Sequence, residues 1–137
     1  IVVALDQLTK QAVLWWVGEG RGVDVIDDIL SIRVTLNPGG AFGLGRSFPA
    51  LFLVATVVIV AVLFLVARRT DEVRWLVPLG LVLGGGLGNL CDRLFRATGG
   101  RVIDFVDFHV WPVFNLADSA IVSGVILMLI LSFRTKS

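Results

Sequence analysis

The sequence contains a single cysteine and a single histidine among 137 residues, and only 17% of its positions are charged. Cys91 has no second cysteine with which to form an internal disulfide and reads as a packing residue. His109 alone cannot build a histidine cluster, so a zinc site lacks its ligands. Arg and Lys are scattered rather than gathered into a tract, and the formal net charge is +1, which leaves no electrostatic basis for binding nucleic acid. So little charge, with 56% hydrophobic residues and a mean hydropathy of +0.90, also excludes an ordinary small soluble domain.

The apolar residues gather into runs. Ala50 to Ala67 carries no charge, and Trp75 to Cys91 and Val113 to Phe133 contain one charged residue between them, Asp118. The expected fold is a polytopic α-helical membrane protein forming a single membrane-embedded domain over 1–137, with four spans near 1–17, 49–67, 75–93 and 113–133. The first run begins abruptly at Ile1 without a basic flank, which reads as the later part of a longer span rather than as a cleaved signal peptide. Asp6 and Lys10 stand four apart in it and read as a structural pair on one helical face, with Trp15 and Trp16 at the membrane surface. Pro49 suits the start of the second span, and Pro78 is placed to kink the third. The basic residues of the 68–74 link, with Arg134 and Lys136, belong on the cytoplasmic side, so both termini face the cytoplasm and segments 18–48 and 94–112 lie outside.

Within 18–48, Leu30 to Leu36 alternates cleanly. Leu30, Ile32, Val34 and Leu36 share one face, and Ser31, Arg33 and Thr35 share the other. This predicts an amphipathic strand that pairs with Val23 to Ile26 across an Asp27-Asp28 turn, a small sheet on the membrane surface. Asn37-Pro38-Gly39-Gly40 then forces a turn, leading into Ala41-Phe42-Gly43, and turn-making is by itself a sufficient reading of Asn37. The segment 94–112 is expected to be a second outer loop whose aromatics, Phe105, Phe108 and Trp111 with the following Phe114, suit the headgroup layer.

The third span places Gly80, Gly84 and Gly88 four apart, a face that lets another helix approach closely, and packing within one copy of the chain is favoured over packing between copies. Its outer end carries Asn89, Asp92 and Arg93. Asp92 opposes the helix dipole and needs a partner, with Arg93 or Arg96 nearest, unless Arg93 faces a substrate instead. Asn115 and Asp118 have the spacing of a capping box with Phe114 as its staple. A cap does not account for Asp104, which the topology brings to the same outer surface. Were Asp104 and Asp118 to face each other, repulsion and low dielectric would make them share one proton. The ionised member could then activate a water against a peptide carbonyl that the protonated member polarises. On the residues alone, a hydrolase and a transporter with an acidic outer site both stay open.

The blocks DQLTK (6–10), NPGGAFG (37–43), GGGLGNLCDR (84–93), RVIDF (101–105) and FNLADS (114–119) resemble those of bacterial lipoprotein signal peptidase, also called signal peptidase II, in family order and at similar spacing. The resemblance covers nearly the whole chain. It implies a four-span aspartic endopeptidase of the cell inner membrane that needs no metal or other cofactor and is blocked by globomycin-type inhibitors. Its substrates are diacylglyceryl-modified prolipoproteins, cleaved on the amino side of the lipidated cysteine. By the resemblance the catalytic residues fall on Asp104 and Asp118, and supporting or substrate-binding residues on Asn37, Asn89, Asp92, Arg93 and Asn115, while Asp6 and Lys10 match the first-span block. This chain departs from the family in the missing start of the first span and in a short connection from Asp104 to Asp118, which bears on the shape of the outer substrate cover.

The competing reading is an acid-coupled transporter or channel with Asp6, Asp92, Asp104 and Asp118 as a relay. Depth discriminates, because a transport site belongs near mid-bilayer and three of these four aspartates sit at one end. A non-enzymatic scaffold gives no reason for a second acid beside Asp118.

Overall fold

A computed structural model describes residues 1–39, 49–69 and 72–134. There are four helices among the described residues, α1 (Val2–Trp16), α2 (Pro49–Arg68), α3 (Leu76–Phe95) and α4 (Leu116–Arg134); α1, α3 and α4 enclose a set of buried polar side chains, α2 packs on α3, and a three-stranded antiparallel sheet adjoins α1 and α3. A 3₁₀ turn at Val73–Trp75 leads into α3. The stretches Val73–Phe95 and Leu116–Phe133 are each long and apolar enough to cross a membrane.

The distribution of side chains is inverted relative to a water-soluble protein. The buried residues of α1 are Asp6 and Lys10, whereas Leu5 and Leu8 point outward. Leu51, Val54, Val58, Ile59, Val62, Phe64 and Leu65 of α2 are likewise exposed. Charges inside and a continuous apolar exterior are stable only where the surroundings are hydrocarbon.

Glycine brings the helices together. A Cβ on Gly84 would lie 2.6 Å from Val2 of α1, and one on Gly88 would lie 2.6 Å from the Asp6 carboxylate. Gly85 turns to α4, where the Ala117 carbonyl and Ile121 leave no room for a side chain. The predicted glycine face thus packs within the chain at Gly84 and Gly88, while Gly80 faces open space.

The sheet carries the predicted hairpin, β1 (Gly22–Ile26) against β2 (Leu30–Asn37), turning through Asp28 at φ 60°. Val34 sits with Val17 and Ile103 in a small core flanked by Val13, Leu14, Ile32 and Leu36, so the predicted apolar face docks the sheet on the end of α1. Ser31, expected on an open polar face, is instead buried, its Oγ 2.7 Å from Asp24 Oδ1 and 2.6 Å from His109 Nε2. The segment 94–112 is not simply a loop: Val102–Asp107 forms β3, the third strand, antiparallel to β2. Phe114 stacks on Phe108 with ring centroids 6.0 Å apart. Position N4 of α4 is the polar Ser119, so the expected staple has no apolar partner there.

Candidate active site

Strand pairing places the first carboxylate. β2 and β3 align Thr35 with Asp104 and Asn37 with Val102, so Asn37, the last residue of β2, lies beside Asp104 and donates from Nδ2 to its Oδ2 at 2.9 Å. The Asn37 Oδ1 accepts the Gly39 N–H at 2.9 Å, and Gly39 adopts φ 127°, a conformation that favours glycine. Asn37 therefore makes the turn and contacts the carboxylate. Ala41, Phe42 and Gly43 of the same block lie outside the described residues.

A helix start places the second. Asn115 Oδ1 accepts the Asp118 N–H at 2.9 Å, and Asp118 Oδ2 accepts the Asn115 N–H at 3.2 Å, the reciprocal capping box read from the spacing. The Asn115 Nδ2 is left free to point away from the helix, and it donates to Asp104 Oδ1 at 2.7 Å. One fully buried asparagine thus caps α4 and ties Asp118 to the strand that carries Asp104.

α3 supplies the link from behind. Asn89 Nδ2 donates to Asp118 Oδ1 at 2.8 Å, and its Oδ1 accepts from Asn115 Nδ2 at 3.0 Å and from Lys10 Nζ at 3.1 Å. Lys10 also reaches Asp6 Oδ2 at 2.8 Å and Asp92 Oδ2 at 2.7 Å, all three side chains being fully buried. The predicted Asp6–Lys10 pair is present, and of the two arginines expected beside Asp92 one, Arg96, pairs with it, while Lys10 is a closer partner that was not expected. Arg96 pairs with it at 3.4 Å, Arg93 makes no ion pair among the described residues, and Lys10 comes closer, at 2.7 Å, because α1 and α3 touch at Gly88. Asp92 also accepts from Gln7 Nε2 at 2.8 Å and from the Ile103 N–H at 3.0 Å, which pins β3 to α3. Asp6, expected deeper than the other acids, joins them here, accepting the Ala117 N–H at the start of α4 at 3.0 Å.

Asp104, Asp118, Asn37, Asn89 and Arg93 line one cleft of about 280 Å³, closed on its far side by Val102 and by Trp111 to Phe114. Asn115 lies buried between the two carboxylates, and Asp92 behind the cleft among the buried charges. Arg93 Nη1 approaches the Asn89 carbonyl at 3.4 Å, and its buried Nε has no acceptor among the described residues. Burial, and secondarily the nearby charge of Asp118, push the Asp104 carboxyl up to about 7, while Asn37, Asn115 and Lys10 oppose the rise. Two acids that share a cleft and differ in environment can hold one proton between them at neutral pH.

The sequence reading missed Gln7 and the cleft wall. Gln7 adjoins Asp6 inside an apolar helix, which was a usable signal. The wall forms because the Phe105 and Val106 N–H groups both donate to the Phe114 carbonyl, folding the short connection into a tight loop that brings Trp111 into the lining of the cleft. The aromatic spacing alone had suggested only a headgroup belt.

The family described as Signal peptidase (SPase) II matches residues 1–134. A lipoprotein signal peptidase of Streptomyces griseus is 44% identical over 137 residues, covering 98% of this chain and 70% of the relative. One from Mycobacterium tuberculosis is 40% identical over 136 residues, covering 96% of this chain and 67% of the relative. A solved structure described as a bacterial membrane enzyme, determined by the in meso method, superposes with a TM-score of 0.85 at 31% identity, covering 99% of this chain and 85% of that one. A second, of the same description, gives 0.77 at 32% identity, with 95% and 86% covered. With these matches over nearly its whole length and an apolar exterior to its helices, the chain is a membrane protein and belongs to the signal peptidase II family of peptidases.

Proposed function

We propose that the chain is an aspartic endopeptidase that removes signal peptides from diacylglyceryl-modified prolipoproteins at the lipidated cysteine, with Asp104 and Asp118 as its catalytic pair. The observation that carries this is the convergence of two carboxylates from separate elements on one cleft, bridged by Asn115 and held from outside by Asn37 and Asn89. Asp104, raised to about 7, keeps its proton near neutrality. Asp118 accepts from the Asn89 amide and from the Asn115 N–H, and the start of α4 favours negative charge there. The ionised Asp118 takes a proton from a water attacking the scissile carbonyl. The protonated Asp104 hydrogen-bonds the developing oxyanion, and the proton that Asp118 took from the water passes to the leaving amine as the C–N bond breaks. Arg93, with an unused buried donor at the cleft, is the residue we assign to a substrate carbonyl or lipid headgroup.

The membrane arrangement belongs to the same proposal: four spans in the inner membrane, both termini cytoplasmic, the cleft near the outer face and a monomeric enzyme. A lipid-held substrate would meet the cleft at that interface, with its acyl chains against the apolar helix surfaces. A proton relay fits less well. The segments 49–67, 76–90 and 119–133 contain no ionisable side chain, so the buried acids have no continuation toward the other surface.

The test is cleavage of a diacylglyceryl-modified prolipoprotein in detergent. Asp104→Asn and Asp118→Asn are each expected to abolish turnover while retaining helical content, and EDTA is expected to have no effect. Turnover by either purified single variant would remove the pair from the mechanism.

A further inference from the structure

The charged cluster behind the cleft does more than join α1 to α3. Lys10 has three N–H donors and three acceptors, Asp6 Oδ2, Asp92 Oδ2 and Asn89 Oδ1, and is completely buried. The third contact decides the orientation of an amide. The Asn89 oxygen faces two donors, the Lys10 ammonium at 3.1 Å and the Asn115 amide at 3.0 Å, so the Asn89 nitrogen must face Asp118, to which it donates at 2.8 Å. Flipping the amide would set its NH₂ against the ammonium and a second NH₂, and turn its carbonyl on the Asp118 carboxylate. Asn115 alone would not forbid this, because its Nδ2 also reaches the Ile103 carbonyl at 3.2 Å and Asp104 at 2.7 Å and so has other acceptors for its hydrogens. The ammonium has no such freedom, since its other two donors are committed to Asp6 and Asp92.

We propose that Lys10 is a positioning residue for catalysis, acting through the Asn89 amide, which it locks with the nitrogen toward Asp118. Asp6 and Asp92 hold the ammonium in place and neutralise it. This rests on the reading of Asp104 and Asp118 as the catalytic pair. The lock explains why a charge is maintained in an apolar bundle where an uncharged pair could join the same two helices.

Removing Lys10 alone would strand two buried carboxylates and endanger folding. The test therefore neutralises the cluster as a unit, Asp6→Asn with Lys10→Met and Asp92→Asn, and combines it with Asn89→Leu in a double-mutant cycle on prolipoprotein cleavage. The triple variant is expected to stay folded, to lose at least about tenfold in kcat and to keep KM within about twofold. In the Asn89→Leu background the same three substitutions are expected to lower kcat by less than about twofold, because the amide they orient is gone. Fold-losses that multiply, a KM effect without a kcat effect, or loss of the folded state would each overturn the proposal and leave Lys10 a structural ion. Turnover by Asp104→Asn, measured alongside, would instead overturn the catalytic pair itself, so the two failures are separable.

Discussion

At the scale of single residues, most site side chains carry two roles at once. Asn115 was legible as a cap and is one, yet the same amide donates to Asp104 across the cleft. Asn37 likewise completes a turn and holds the other Asp104 oxygen. Capping and turn signals are local and therefore visible in spacing, whereas the second contact depends on which strand lies opposite. Asp104 itself predicts a pH signature. Its folded value near 7 lies above the ordinary 3.8, so the folded chain retains a proton that the unfolded chain has released. The stability this contributes is complete below about pH 4 and is lost as pH rises through 7, a span worth on the order of a few kcal/mol. Thermal unfolding in detergent is expected to fall in Tm between pH 5 and pH 8 for the intact protein and to flatten in Asp104→Asn, which has no proton to lose. Parallel slopes in the two proteins would contradict the assignment.

At the scale of elements, the helices and the hairpin were legible and β3 was not. The apolar helices predicted near 1–17, 49–67, 75–93 and 113–133 coincide with α1 to α4 to within about three residues at either end, because long apolar runs report themselves whatever surrounds them. β2 alternates because the face carrying Ile32, Val34 and Leu36 meets the core, whereas every residue of β1 is exposed. In β3, Val102, Ile103, Asp104 and Phe105 are all buried, so both faces are covered and no period of two survives. The Lys10–Asp92 pair was illegible for another reason: 81 intervening residues separate groups that the glycine contact between α1 and α3 brings together. The close approach of α3 to α4 at another glycine, Gly85, is testable. A Cβ at Gly85 would strike the Ala117 carbonyl and come within 2.7 Å of the Ile121 side chain, and the Ala117 backbone cannot yield without moving the turn that carries Asp118. Gly85→Ala is expected to destabilise by about 1–3 kcal/mol and to reduce cleavage in proportion to misplacement of α4. Gly80→Ala, with nothing within 4 Å, is expected to leave cleavage unchanged and to stabilise α3 by up to about 1 kcal/mol. Equal thermal shifts for the two substitutions would show that the glycines serve helix flexibility rather than close approach.

At the scale of the whole molecule, the buried polar chemistry lies at one end of α3 and a short basic link at the other. α3 has 20 residues and at 1.5 Å per residue spans about 30 Å, the thickness of a hydrocarbon core. Arg68, Arg69 and Arg74 precede it, and the cleft with its aromatic wall follows it. If α3 crosses the membrane, residues just before it and just after β3 must be reached from opposite sides. Val73 and Val110 are suitable reporters, being 76% and 92% exposed and contributing nothing to the cleft lining. In a Cys91→Ala background, Val73→Cys is expected to react with a membrane-impermeant maleimide only from the cytoplasmic side of oriented vesicles, and Val110→Cys only from the outer side. That result would put the two acids where a lipid-anchored peptide emerges from the outer leaflet, and would fix the direction from which substrate enters. Labelling of both positions from the same side would make α3 a re-entrant helix, place basic link and acidic cleft on one surface, and require the substrate to approach by a different route.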